Sequence, residues 1–151
     1  MASAKTVTCK SCNQLQLEHR EMWRKLSELD IALESLICYS EVFADLAGVQ
    51  QAQEMARWLA VALPEHFLDE ERGVLAQIGR QGGESAAFSK EMKRQHREIS
   101  VRVEAFRQAA HTFQEASDLQ QSICDLKEAG KALATIMTSH MGAEERKYAT
   151  L

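Results

Sequence analysis

The sequence predicts an all-α fold, an antiparallel up-down-up-down four-helix bundle, on three observations. Only one Pro and seven Gly occur in 151 residues, while Ala, Leu, Glu, Gln, Lys, Arg and Met, which lose least on entering a helix, dominate. Apolar residues recur at helical spacing in four separate stretches. A short polar pattern then occurs twice, as if one helical hairpin had been stated two times over.

The first stretch carries Leu15, Met22, Leu26, Leu29 and Leu33, and the second Met55, Leu59, Leu63, Val74 and Ile78. The third carries Phe88, Met92, Ile99, Val103 and Phe106, and the fourth Ile123, Leu126, Leu133, Ile136 and Met137. Breaks are expected at Gly48, at Gly82-Gly83 and at Ser117-Asp118, the last also being a helix start signal. Each helix then runs for about 25 to 30 residues, and short connections favour antiparallel neighbours. Pro64 falls inside the second stretch, where it removes one helix hydrogen bond and should kink the chain two residues before His66. The expected organisation is an N-terminal tail, residues 1–12, followed by one bundle, residues 13–151.

The net charge of −4 is spread among interspersed Lys and Arg with no basic block, which argues against nucleic acid or an anionic membrane as a partner. The first dozen residues lack the apolar stretch of a signal peptide, and the longest apolar run, Trp58 to Leu63, is far too short to span a bilayer. A cytoplasmic protein is expected, with its four cysteines as thiols. Cys9-x-x-Cys12 in the tail is a redox or metal candidate rather than a structural disulfide, although it has no second pair to close a zinc site, and Cys38 and Cys124 read as small buried residues.

The repeated polar pattern is His19-Arg20-Glu21, then His66-x-x-x-Glu70-Glu71-Arg72, then His96-Arg97-Glu98, then His140-x-x-x-Glu144-Glu145-Arg146. Residues level with each other across a hairpin sit equally far from its turn, so their midpoint should fall in the turn. The midpoint between His66/Glu70 and His96 is Gly82, and that between His96 and His140 is Asp118, both at expected breaks. The midpoint between His19 and His66, at Val42-Phe43, falls several residues short of Gly48. Each histidine shares its helix's apolar stripe: His19 with Leu15 and Met22, His66 with Leu59 and Leu63, His96 with Met92 and Ile99, His140 with Leu133 and Met137. Residues four apart differ by only about 40° in direction, so Glu70 and Glu144 point inward beside His66 and His140.

Any one of these histidines alone reads as an ordinary core or surface residue; six such groups at one level do not. Two buried carboxylates are costly to ionise unless paired, and no inward Lys or Arg in these stripes offers to pair with them. Metal cations would satisfy them, and six ligands divide into two pairs of histidines sharing two bridging carboxylates. His111 lies about 22 Å along the third helix from His96 and is excluded from the site. Asp69, Glu71 and Glu145 lie off the stripe centres and are expected to be solvated or to orient the histidines.

These motifs resemble the hemerythrin-like proteins, or HHE cation-binding domains, whose pattern is a lone His on the first helix, H-x3-E on the second, His on the third and H-x3-E on the fourth. The resemblance spans roughly Leu15 to Tyr148, and both H-x3-E motifs carry the second Glu of the family's signature. The Glu-x-x-His order of ferritin-like bundles does not occur. The resemblance implies two iron ions, one on His19 and His66, the other on His96 and His140, bridged by Glu70 and Glu144. It implies a small diatomic or peroxide ligand, with an iron- or oxygen-responsive regulator and an iron-delivery or iron–sulfur repair protein as alternatives. Oxygen-carrying hemerythrins place two histidines on the third helix as H-x3-H, whereas here Met92 and Ser100 flank His96 at that spacing, which points away from simple oxygen storage.

Overall fold

The computed structural model describes residues 11–37, 46–113 and 118–151, and all statements below concern these. Four long helices, α1 (Cys12–Glu34), α2 (Leu46–Arg72), α4 (Gly83–Thr112) and α5 (Leu119–Tyr148), are joined by one short helix, α3 (Val74–Gly79), between α2 and α4. Among the described residues there is no strand, and no helix is long and apolar enough to cross a membrane.

Side-chain contacts fix the direction of each neighbour. Gly48 near the start of α2 lies against Ala32 and Ser35 at the end of α1, and Gln53 of α2 reaches the carbonyl of Ala110 near the end of α4. Lys147 at the end of α5 reaches Ser85 at the start of α4, while Lys127 early in α5 reaches the carbonyl of Leu36 beyond α1. The long helices therefore run up, down, up and down around a ring, α1–α2–α4–α5 and back to α1.

Local chemistry sets the ends. Ser11 caps α1 in a reciprocal capping box with Gln14, so Cys12 is the first residue of that helix. Asp118 caps α5 by accepting from the Gln121 amide, at the start signal read from the sequence. Gly82 and Gly83 turn the chain into α4 with φ of 74° and 54°, left-handed values that cost glycine little.

Two breaks differ from expectation. Gly48 does not end a helix; it lies within α2, and a Cβ there would meet the Ser35 hydroxyl and stand 3.2 Å from the Ala32 carbonyl. Its glycine serves close approach of α2 to the end of α1. Helix α1 ends at Glu34 and α2 is described from Leu46; the Val42-Phe43 midpoint falls outside the described residues. The second stretch is interrupted at Gly73, with φ −104° and ψ −102°, so Val74 and Ile78 belong to α3 rather than to α2. Pro64 sits inside α2, which continues through it. Cys124 is half-buried rather than buried, and Cys9 and Cys38 lie outside the described residues.

The core divides into two apolar regions. The larger contains Met22, Leu29, Leu63, Ile99, Phe106 and Met137, among others. The smaller contains Leu15, Val74, Leu75, Ile78, Met92 and Tyr148 and closes one end of the bundle, with α3 contributing three of the six. Leu15, Val74, Met92 and Tyr148 each lie four residues from one of His19, Glu70, His96 and Glu144. One helical turn therefore separates this apolar layer from a polar layer, which is sandwiched between it and the main core.

Candidate metal centre

The polar layer consists of His19 on α1, His66 and Glu70 on α2, His96 on α4, and His140 and Glu144 on α5. With Ser89 they are all the buried polar or charged residues among those described, and no Lys or Arg is buried. All six sequence-derived candidates are thus brought together, at 0–3 % exposure.

They fall into two groups. His19, His66, Glu70 and Glu144 form one, and His96, His140, Glu70 and Glu144 the other, with the donor atoms of each within 4.8 Å of one another. The two carboxylates belong to both because each turns one oxygen toward each histidine pair. Glu70 Oε1 lies 3.3 Å from Nε2 of both His19 and His66, and its Oε2 lies 3.3 Å from His96 Nε2. Glu144 Oε2 lies 3.3 Å from His19 Nε2, and its Oε1 lies 3.3 Å from His140 Nε2 and 3.5 Å from His96 Nε2. The i,i+4 spacing of each H-x3-E motif delivers the carboxylate beside its histidine, and the antiparallel packing delivers it to the facing helices.

The outward nitrogens are held as well. His66 Nδ1 donates to Glu18 Oε2 at 2.6 Å, His96 Nδ1 to Glu71 Oε1 at 2.8 Å, and His140 Nδ1 to Gln95 Oε1 at 3.0 Å. A carboxylate only accepts, so Nδ1 of His66 and of His96 carries a proton, and in the neutral ring the inward Nε2 keeps the lone pair that a cation would take. Glu145 accepts from the Trp23 indole at 2.8 Å and stands 3.7 Å from His19 Nδ1. Glu71 thus takes the orienting place expected of it, whereas Glu145 is hydrogen-bonded to Trp23 and only faces His19. Glu18 and Gln95, each one residue before a site histidine, were not singled out by sequence reasoning. Phe67 stacks on the His96 ring, with centroids 4.0 Å apart and planes inclined by 11°, and the Tyr148 hydroxyl donates to Glu70 Oε1 at 3.0 Å.

Position by position, the remaining candidates stand apart. His111 is exposed in the last turn of an unbroken α4 and joins neither group. Met92 is buried in the end layer, and the Ser100 hydroxyl is turned back to the His96 carbonyl, so neither supplies a donor in place of a second histidine.

In the absence of a cation the cluster holds protons. Burial opposes charge on His19, but the Glu144 and Glu70 carboxylates beside it outweigh burial and raise it to about 9. His96 is raised to about 9 in the same way, against burial, by Glu144, Glu70 and Glu71, and His66 is raised by Glu70 and Glu18. Burial would push both glutamates up, yet the histidine rings 3.3–3.5 Å away hold Glu144 down to about 2 and Glu70 well below the usual carboxylate range. Burial and the two glutamates push the Tyr148 phenol upward.

A histidine raised from 6.5 to about 9 contributes stability that is complete below pH 6.5 and lost as pH rises toward 9. A glutamate lowered from 4.5 to about 2 contributes stability that is complete above pH 4.5 and lost on acidification. The melting temperature of chelator-treated protein is therefore expected to be highest between pH 4.5 and 6.5 and to decline toward pH 9. A melting temperature that rises over that alkaline range would contradict this.

The residues fit a pair of cations. His19 Nδ1, Glu70 Oε2, His96 Nε2, His140 Nε2 and both oxygens of Glu144 are buried without a hydrogen-bond partner. Each such group costs on the order of 1–3 kcal/mol, more when charged. Nε2 of His19 and of His66 stand 3.0 Å apart. Metal–imidazole bonds of about 2.1 Å at right angles place neighbouring donors about 3 Å apart. Imidazole and carboxylate without thiolate suit iron, zinc or manganese.

No curated protein and no solved structure matched the chain significantly. The family described as Hemerythrin HHE cation binding domain matches residues 11–151, essentially the whole chain. With its bundle, its two H-x3-E motifs and its His/Glu cluster, the chain belongs to the hemerythrin HHE cation-binding domain family.

Proposed function

We propose that the protein is a non-haem di-iron protein that binds or reacts with a small molecule, oxygen, nitric oxide or peroxide, in the bundle core. The observation that carries this reading is the pair of donor groups sharing Glu70 and Glu144. Each group offers four donor residues, two His and two Glu, fewer than the six of an octahedral ion, which leaves positions for an exogenous ligand. Iron held there supplies the redox change and the binding positions.

The chain's own residues supply the setting. Glu18, Glu71 and Gln95 hold three imidazoles in the tautomer that turns Nε2 inward. Phe67 fixes the His96 ring plane, and the layer of Leu15, Val74, Met92 and Tyr148 keeps water from one end. Ser100 and Met92 in place of further histidines leave the two donor groups matched in number, which supports fast reaction over reversible storage. Stopped-flow mixing of the anaerobically iron-loaded, reduced protein with oxygen is expected to change its absorption spectrum rapidly. A spectrum indifferent to oxygen, nitric oxide and peroxide alike would contradict the proposal, and a long-lived adduct that releases oxygen reversibly would restore storage.

A further inference from the structure

The outer partners of the four histidines form a ring with one odd member. Glu18 on α1 serves His66 on α2, Glu71 on α2 serves His96 on α4, Gln95 on α4 serves His140 on α5, and Glu145 on α5 faces His19 on α1. Each side chain reaches the next helix round because one residue of helix turns the direction by about 100°. Glu18 and Gln95 precede a site histidine on up-running helices, whereas Glu71 and Glu145 follow a site glutamate on down-running ones. Reversing the helix reverses the sense of rotation, so a step back on one and a step forward on the other point the same way round.

Three members of this ring are carboxylates; Gln95 is a neutral amide. Its orientation is fixed from behind, because its Nε2 donates to Glu91 Oε1 at 2.9 Å and Glu91 is clamped by Arg94 at 2.7 and 2.9 Å. The amide therefore keeps its oxygen toward His140. The His19–His66 position has two carboxylates behind it, Glu18 hydrogen-bonded to His66 and Glu145 facing His19 at 3.7 Å without a hydrogen bond, while the His96–His140 position has one carboxylate, Glu71, and the amide, both hydrogen-bonded.

We propose that this difference makes the two cation positions unequal: the His19–His66 position binds its ion more tightly and fills first, and Gln95 is the positioning residue that sets the difference. The proposal rests on the reading that each donor group holds one ion. A carboxylate behind a ligating imidazole raises its basicity, and losing such a partner typically costs about 10–100-fold in affinity. Two contacts oppose the order. Glu145 stands 3.7 Å from His19 Nδ1, and the Tyr148 hydroxyl donates to the Glu70 oxygen on the His19–His66 side. Neither cancels a full charge: Glu145 keeps its charge near the ring, and Tyr148 contributes one neutral donor.

Cobalt(II), coloured and stable to air at this kind of site, is the probe. Titrated into the ion-free full chain, it is expected to bind in two steps about 10–100-fold apart. The first equivalent should perturb the ring resonances of His19 and His66 before those of His96 and His140. Glu18→Gln should bring the steps together by weakening the first, and Gln95→Glu by strengthening the second. Glu18→Gln also guards against the case in which Gln95→Glu is disturbed by its new neighbour Glu91. Equal steps in the unaltered protein, first filling at His96 and His140, or an unchanged separation in both variants would overturn the proposal while leaving the two-ion reading intact. Uptake of at most one ion would instead remove that reading and the proposal with it.

Discussion

Replacing Glu70 or Glu144 with Ala is expected to abolish tight cation binding at both positions, because each carboxylate turns one oxygen to each histidine pair. The loss in affinity should exceed the roughly 10–100-fold that accompanies loss of an outer partner, since in the proposed arrangement a direct ligand would be removed from both ions at once. Binding energy is also folding energy. At a cation concentration about a hundred times its dissociation constant, a protein gains about 2.7 kcal/mol, so each variant should forfeit stabilisation of that order on cation addition. Thermal melts with and without the cation, beside ion counts on the same samples, provide the check. His111→Ala is the control, because that side chain is exposed in the last turn of α4 and touches neither donor group. Two ions and unaltered melting in either glutamate variant would show that the bridges are wrongly assigned.

Phe106→Ala should be the most damaging change away from the site. Phe106 is fully buried in the larger apolar region, and its ring lies so close to Gly130 of α5 that a Cβ there would stand 3.2 Å from it. Truncating such a residue typically costs about 3–5 kcal/mol, from lost transfer energy and the cavity left behind. Ten residues of helix, about 15 Å, separate it from His96, so ion content should be retained. Denaturant unfolding of the chelated protein measures the first effect and ion counting the second. A loss under about 1 kcal/mol would mean that the surrounding Leu33 and Gly130 region collapses into the space, contrary to close packing there.

The fold and the inner ring of donors were legible for a common reason: both are expressed in spacing along single helices. The i,i+4 offset of His66 to Glu70 and of His140 to Glu144 specifies four inward groups, and the apolar stripes that carry His19 and His96 add two more before any packing is known. Gly82-Gly83 and Asp118 were legible because each carries its chemistry locally, in a left-handed backbone and a side-chain cap. Gly48 misled because a glycine needed for close approach is indistinguishable, in sequence, from one that ends a helix. Gly73 misled in the opposite direction, since the apolar period runs on through Val74 and Ile78 while the backbone turns aside to close the bundle end.

Glu18 and Gln95 were missed because their role depends on which helix stands next round the ring. Periodicity says that a residue beside a site histidine points about 100° away from the core stripe. Whether that direction meets another helix or solvent is decided by the handedness of the bundle, which no single helix encodes. The pattern is visible only in hindsight of the ring: one residue before the lone histidines, one residue after the glutamates.

We propose that the bundle core holds two metal ions between four histidines and two shared glutamates, a reading supported by the two donor groups that share Glu70 and Glu144. Its most direct test is to strip the full chain with chelator, reconstitute it anaerobically with ferrous iron, remove unbound iron and count ions per chain. Two ions per chain, lost together in the Glu70 and Glu144 variants, is the predicted result. One ion or none, under conditions where the helical fold is intact, would contradict it.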